Sequence, residues 1–95
     1  MPVLTLPPIL THAEAAGFSL GLKQAVQSQS AGVVADASAL KEFDSSALAV
    51  LLECRREALA AGKNFAVAGL PPRLRQLAGL YGVAELIPAA PVGAA

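Results

Sequence analysis

The sequence is poor in the residue types on which many functional sites depend. Its 95 residues include one cysteine, one histidine, no tryptophan, three phenylalanines and one tyrosine. A single cysteine excludes an internal disulfide framework and suits a reducing compartment. One cysteine and one histidine also argue against a metal site, and no standard glycine-rich phosphate loop is present. We therefore expect no metal and no other cofactor.

Charge is scarce as well. Charged residues make up 15% of the chain and apolar residues 55%, and seven Lys and Arg balance seven Asp and Glu. A net charge of zero does not steer the chain to nucleic acid or to an anionic membrane. A small domain with little surface charge often has a partner that covers part of its surface. An alanine-rich composition by itself also explains the low share of charged residues, so both explanations stay open.

Long apolar runs are missing too. The N-terminal apolar stretch has no basic flank and is interrupted by prolines, which is not the pattern of a signal peptide. No stretch of about 20 apolar residues is present, so the sequence predicts no membrane span. On these grounds we expect a cytoplasmic protein.

Strands and helices alternate along the chain. Short apolar runs predict strands, and apolar residues that recur every three or four positions predict helices. We expect one domain over residues 1–88 and a disordered Pro/Ala/Gly tail over residues 89–95. The predicted strands cover residues 3–6, 32–35, 65–68 and 86–87, and the predicted helices cover residues 12–27, 46–61 and 72–81.

Helix ends carry recognisable signals. Thr11 and Glu14 have the spacing of a capping box, and Gly62 and Lys63 suit the C-terminal end of the long helix. The apolar stripe of that helix consists of Ala47, Leu51, Cys54, Ala58 and Ala61, widened by Leu48, Leu52 and Leu59.

This order of elements requires crossover connections and a mainly parallel sheet, so the fold class is α/β. The continuous apolar run at residues 32–35 predicts a strand buried on both faces. Binding sites of such sheets collect beyond the carboxyl ends of the strands. The turn Asp44-Ser45-Ser46 opens the long helix at such a position and is the candidate site.

Two interpretations of this turn are open. Asp and Ser are preferred N-cap residues, each worth about 1 kcal/mol, so the turn serves as a helix cap. Alternatively, a phosphate on Ser45 or Ser46 would meet the positive end of the helix, while Asp36 and Asp44 would repel it. Such a phosphate would change a partner surface without unfolding the domain.

Catalysis finds little support. Ser46 would need a base, and the single histidine, His12, has no acid in an obvious supporting position. We therefore expect no enzymatic activity. Arg73 and Arg75 are candidates for contact with a phosphate or an acidic partner, or they form a solvated face. Cys54 and the aromatic residues, Tyr81 included, are expected in the core.

Several segments resemble the STAS domain found in sulfate transporters and anti-sigma factor antagonists. The resemblance covers nearly the whole chain. It implies a small STAS-type fold with a four-stranded, mainly parallel sheet and about three helices. The segments that carry it are residues 33–36, residues 43–48, the long helix, Gly62-Lys63 and the strand at residues 65–68.

Within that family, residues 47–52 and 74–83 look most like the STAS subunit of the Mla system, a phospholipid-transporting ABC complex. This resemblance implies a non-enzymatic cytoplasmic subunit, MlaB-like, that binds and regulates the ATPase subunit and so supports outer-membrane lipid asymmetry. The partner-binding residues that we expect are Asp44, Ser45, Ser46, Arg73 and Tyr81.

The resemblance divides the two serines between two functions. Ser45 corresponds to the key hydroxyl of the transporter subunit. Ser46 corresponds to the phosphorylated serine of anti-sigma factor antagonists, in which a kinase controls a partner switch. Antagonists usually have glycine at the next position, where this chain has Ala47. The antagonist function, with an anti-sigma kinase as partner, is therefore the alternative.

Overall fold

The computed structural model describes residues 4–29 and 32–90. Within these residues the chain forms short strands, α-helices and one 3₁₀ turn. In chain order they are β1 (Leu4–Thr5), β2 (Ile9–Leu10), α1 (His12–Leu20), α2 (Leu22–Gln27), β3 (Gly32–Asp36), β4 (Glu42–Phe43), α3 (Ser45–Ala60), β5 (Asn64–Ala68), α4 (Pro72–Leu80) and the 3₁₀ turn Ala84–Leu86. The predicted α/β class is confirmed.

The main sheet is parallel, with the strand order β1-β3-β5. Side chains alternate along β3, where Val33 and Ala35 are buried and Val34 is half-buried. β5 alternates in the same way, with Phe65 and Val67 buried. The prediction that residues 32–35 are buried on both faces is therefore wrong: one face carries the core and the other is more open.

A second, smaller parallel pair joins β2 to β4. It arises because Pro7 and Pro8 interrupt the first extended segment, since proline cannot donate to a ladder. The carbonyl of Pro8 instead accepts the N–H groups of Lys41 and Glu42 at 2.8 and 3.0 Å. β4 lies in a segment for which we predicted neither a strand nor a helix. Of the predicted strand at residues 3–6, residue 3 lies outside the described residues.

The fourth position of the sheet is filled differently from the prediction. Residues 86–87 do not form the predicted strand. Leu86 is instead the last residue of a 3₁₀ turn, and Ile87 after it is fully buried. Ala89 pairs with Val67 in parallel instead, and the N–H of Ala90 donates to the carbonyl of Val67 at 2.8 Å. Two residues of the predicted tail thus join the sheet, while residues 91–95 lie outside the described residues.

The first predicted helix is two helices. α1 and α2 meet at Gly21, whose φ of −96° and ψ of 0° interrupt the helical geometry. The capping box at the start of α1 is confirmed: the carboxylate of Glu14 accepts the N–H of Thr11 at 3.2 Å and also bonds the Thr11 hydroxyl.

α3 is the central helix and packs on β3, β5 and all three other helices. Its buried residues are Ala47, Leu48, Val50, Leu51, Cys54 and Ala58. Val50 was absent from the predicted stripe, whereas Leu59 and Ala61 are exposed rather than buried. Gly62 follows the end of α3 with φ +73°, as expected of a C-terminal glycine.

Lys63 binds the C-terminal end of α2 rather than that of α3, for which the sequence predicted it. Its Nζ donates to the carbonyls of Val26 and Gln27 at 2.9 and 3.2 Å, and also to that of Gln29. Those carbonyls belong to the last turn of α2 and the residues after it, where a cation satisfies otherwise unpaired acceptors.

α4 begins with Pro72 after the N-cap Pro71 and buries Leu74 and Ala78, as its spacing predicts. Tyr81 follows its end and is 61% exposed, so the prediction that it fills the core is wrong.

Candidate functional site

Asp44 is the N-cap of α3. It has extended backbone geometry, and its Oδ1 accepts the N–H of Ser46 at 2.8 Å. The predicted capping function is thereby confirmed. The turn follows β4, so the short β2–β4 pair sets the position at which α3 begins.

The same carboxylate also reaches a second helix. Asp44 Oδ2 accepts the N–H of His12 at 3.1 Å, and His12 is the first residue of α1. The first N–H groups of a helix have no partner inside it, so an acceptor at that position stabilises the helix start. One aspartate therefore caps two helices and fixes the start of α1 beside the start of α3.

The electrostatics of Asp44 follow from these bonds. Its pKa lies below the ordinary value, chiefly because of the hydrogen bond from the Ser46 N–H, and the hydrogen bond from the His12 N–H lowers it further. Hydrogen bonds to the charged form favour ionisation. Asp44 thus remains ionised and bound to backbone amides.

A groove of about 390 Å³ lies beside this turn, between α1 and α3. Ser46 is half-buried within it, whereas Ser45 is exposed to solvent at the turn. Most of the lining side chains are small, since five of the eight are alanine or serine. The lining residues are His12, Ala15, Ala16, Ser19, Ser46, Ala49, Val50 and Glu53.

The groove brings together residues that the sequence placed far apart. Ser46, His12 and Glu53 line one space. Yet in the described part of the chain no hydrogen bond joins the Ser46 hydroxyl to the His12 ring, and the Glu53 carboxylate pairs with Arg56. An activated nucleophile requires a base within hydrogen-bond reach and a group that orients the base. What the geometry does offer is the hydroxyl groups of Ser19 and Ser46 among small side chains.

Arg73 lies at the other side of the turn. Its guanidinium carbon is 5.4 Å from the centre of the Phe43 ring, and Phe43 directly precedes Asp44. A cation over an aromatic face contributes about 0.5–1 kcal/mol at an exposed site. This contact ties the first turn of α4 to the turn before α3, and the exposed donors of Arg73 stand beside it. Arg75 is exposed on the same helix.

The predicted partner-binding residues do not all meet. Asp44, Ser45, Ser46 and Arg73 gather at one end of the helical layer. Tyr81 lies eight residues after Arg73, which corresponds to about 12 Å along α4. It is therefore a separate exposed position at the opposite end of that helix.

Asp36 forms a local turn. Its Oδ1 accepts the N–H and the hydroxyl of Ser38 at 3.0 and 2.6 Å, and these bonds lower its pKa. Ser38 lies so close to Gly69 (φ +66°) that a Cβ at Gly69 would stand 2.7 Å from the Ser38 Cβ. The loops after β3 and β5 thus pack backbone to backbone.

Cys54 is buried in α3, and burial, with the nearby charge of Glu57, raises its pKa to about 12. This agrees with the prediction of a small core residue. Across residues 4–29 and 32–90, no group of three metal-ligating side chains comes together. Over the same residues, no helix combines the length and the apolar character needed to cross a bilayer.

Sequence reasoning missed the α1 side of the site. Ala16, Ser19 and Ala49 carry no chemistry that singles them out in a sequence. One signal was available: α1 contains a single charged residue, Glu14, whereas a surface helix usually has a charged outer face.

Comparison with known proteins places these features in a family. A family model described as "Mlab, STAS domain" matches residues 1–88. A search of curated proteins finds no significant match. Among solved structures, an anti-sigma-factor antagonist (STAS) domain protein from Planctomyces limnophilus is similar, with a TM-score of 0.76 and 18% identity over 92% of this chain and 79% of that protein. The match over residues 1–88, nearly the whole chain, shows that this chain belongs to the STAS domain family.

Proposed function

We propose that this protein is a non-enzymatic cytoplasmic STAS subunit that binds and regulates the ATPase of a Mla-type phospholipid-transporting ABC complex. One structural observation carries the proposal: Ser45 is exposed on a turn whose Asp44 carboxylate caps both α1 and α3, directly beside the α1–α3 groove. The description of the matching family model agrees with it.

The partner surface consists of the turn, the groove and the outer face of α1. That outer face is uncharged, and Ala13, Ala16, Gly17 and Leu20 are exposed on it, Leu20 by 88%. Depletion of charge is typical of the centre of a protein interface. Small residues on both walls of the groove let a partner helix approach closely. Arg73 lies at the rim, where a charge guides association more than it adds affinity.

A regulatory role without catalysis fits this geometry. The Asp44 carboxylate binds backbone amides instead of orienting a base, and the Ser46 N–H that could stabilise an anionic intermediate is already bonded. The protein would act by stabilising one arrangement of the ATPase, and Tyr81 would add a second contact to a partner that extends along α4.

Co-purification with candidate ABC ATPases tests the proposal. Ser45→Glu should reduce recovery of the ATPase at least tenfold, because a charge buried at an interface without a partner is costly. The substitution keeps the helix itself stable, since an acidic residue is favourable in the first turn. Gln24 is exposed on α2, outside the proposed partner surface. Gln24→Glu therefore introduces the same charge elsewhere on the molecule and should leave recovery of the ATPase unchanged.

The outcomes separate the two family functions. Recovery of an anti-sigma kinase instead of an ATPase, or phosphate on Ser46 in protein from cells, would replace this proposal with the antagonist function. The structure supports the transporter function in one respect: a kinase must surround the hydroxyl that it modifies, and Ser46 is the half-buried serine of the pair.

A further inference from the structure

The main sheet carries its helices on one face. Its strands follow chain order, β1-β3-β5, and Ala89 continues the series beside β5. Because crossovers between parallel strands are right-handed, connections that all step in the same direction place their helices on the same face. The buried side chains agree, since those of β3, β5, α3 and α4 join one core. None of the described helices therefore covers the opposite face of the sheet.

That opposite face, here called the open face, is formed by every second residue of the strands. The register pairs Val34 with Ala66 at its centre, and both are half-buried. A depression of about 220 Å³ lies over this pair. The side chains of the open face are Thr5, Val34, Asp36, Asn64, Ala66 and Ala68.

The composition of the open face is that of a covered surface. Parallel sheets occur almost only with both faces covered. The single charged side chain among the six is Asp36, and depletion of charge is typical of the centre of a protein interface. The Oδ1 of Asp36 accepts two hydrogen bonds from Ser38, whereas its Oδ2 accepts none within the described residues. One acceptor atom on this face is thus available to a partner.

The two ends of the open face complement each other. Asp36 lies two residues after Val34 on β3, and Asn64 lies two residues before Ala66 on β5. A two-fold axis that crosses the strands at the Val34–Ala66 pair therefore exchanges the positions of Asp36 and Asn64. In a second copy related by this axis, each Asn64 amide, a donor, faces an Asp36 carboxylate, an acceptor. A symmetric contact between identical surfaces requires such self-complementarity.

We propose that the protein forms a two-fold symmetric dimer through the open face, with the Val34–Ala66 pair at the axis and Asn64 of each copy donating to Asp36 of the other. Packed sheets lie about 10 Å apart, and the small side chains near the axis permit this approach. The α1–α3 groove belongs to the helical layer, so the dimer leaves it free. The dimer does not rest on the function proposed above.

The size of the open side sets the strength of the dimer. The molecule measures 30 × 28 × 22 Å, and a two-layer domain is thinnest across its layers. The sheet side then covers roughly 650 Å², compared with about 800 Å² for each partner of a standard interface. We therefore expect a weak, reversible dimer whose fraction rises with protein concentration.

Sedimentation velocity of the protein alone, from micromolar to millimolar concentration, tests the dimer. Asn64 is exposed, so its substitution leaves the core intact. Asn64→Lys places an ammonium group opposite Asp36 and should lower the dissociation constant of the dimer about 2- to 30-fold, the effect of two exposed ion pairs. Asn64→Asp places two carboxylates opposite each other and should raise the constant by a similar factor. Both effects should shrink in about 1 M salt, which screens exposed charges.

Gln24 provides the matched control. It is exposed on α2, in the helical layer, so Gln24→Lys and Gln24→Glu introduce the same charges away from the open face. Neither substitution should change the dissociation constant. A tighter dimer in Asn64→Lys cannot arise from misfolding, and circular dichroism during thermal unfolding checks that Asn64→Asp remains folded.

Two results would overturn the inference. One is a protein that stays monomeric at millimolar concentration both as wild type and as Asn64→Lys. The other is a dimer whose dissociation constant is the same in Asn64→Lys and Asn64→Asp, which would place the contact on another surface. Neither result depends on an ATPase. A failed co-purification therefore leaves the dimer intact, and a monomeric protein leaves the proposed ATPase partner intact.

Discussion

A single carboxylate organises the candidate site. Asp44 binds the first amides of α1 and α3 with its two oxygens, and both bonds favour its ionised form. The sequence predicts half of this arrangement, because an N-cap is a local feature that spacing reveals. The other half joins residues 32 positions apart and depends on how the helices pack.

The ionisation of Asp44 should make stability depend on pH. Its pKa is lowered by folding, so the stabilisation is complete above its ordinary value of 3.8 and is lost as the pH falls through the lowered pKa. Glu14 and Asp36 have lowered pKa values as well and act in the same direction. Urea unfolding at a series of pH values should show a free energy of unfolding that falls below about pH 4.5, the ordinary value of Glu14.

Asp44→Asn should flatten that dependence, since the amide group cannot gain a proton in this range. Gln24→Glu adds a carboxylate at an exposed position of α2 and should leave the slope nearly unchanged. An equally steep slope in Asp44→Asn would show that Asp44 contributes nothing to acid sensitivity.

Among the helices and strands, the prediction was accurate where the apolar pattern of the sequence was continuous. α3 and β5 begin within one residue of the predicted positions, because an uninterrupted apolar stripe or run dominates each of them. The break at Gly21 was not predicted, since glycine inside a helix costs only about 1 kcal/mol and packing decides whether the helix continues. β4 was missed because two residues carry too little pattern.

Three glycines should respond differently to alanine, according to their place in an element. Gly69→Ala should be the most destabilising, because its φ of +66° and the Ser38 Cβ at 2.7 Å both oppose a side chain. Gly62→Ala should cost about 1 kcal/mol for its φ of +73° alone. Gly79→Ala, inside α4 with open space around it, should stabilise by about 0.4–1 kcal/mol.

Thermal or urea unfolding of the three variants gives this ranking directly. Gly79→Ala is the internal control, since it adds the same methyl group without strain. A Gly62→Ala variant as stable as the wild type would contradict the importance of the left-handed residue that ends α3.

The molecule as a whole has one continuous core, to which α3 contributes six buried residues. The sequence predicted that helices pack on a mainly parallel sheet, since the alternation of strands and helices along the chain specifies this arrangement. The groove was not predicted, because most of its lining residues are alanine and serine, which only the packing of α1 on α3 brings together.

Cys54 at the centre of this core should report global unfolding. The residue is 1% exposed and its thiol has a pKa of about 12, so a thiol reagent near pH 8 should label the folded protein only through opening of the core. We expect the labelling rate to fall in Gly79→Ala and rise in Gly69→Ala, in proportion to the unfolded fraction. Mass spectrometry measures the labelling rate. A rapid rate that is the same in all variants would show that Cys54 is accessible in the folded protein.

The last described residues close the sheet beside β5. The carbonyl of Pro88 accepts the N–H of Val67, and the N–H of Ala90 donates to the carbonyl of Val67, at 2.8 Å each, so the outer side of β5 is paired near its carboxyl end. A chain that ended at Ile87 would lose this pairing and present unpaired peptide groups next to apolar side chains. Such an exposed edge is a template for association between copies. The three residues Pro88–Ala90 would therefore protect the protein against aggregation as well as completing its fold.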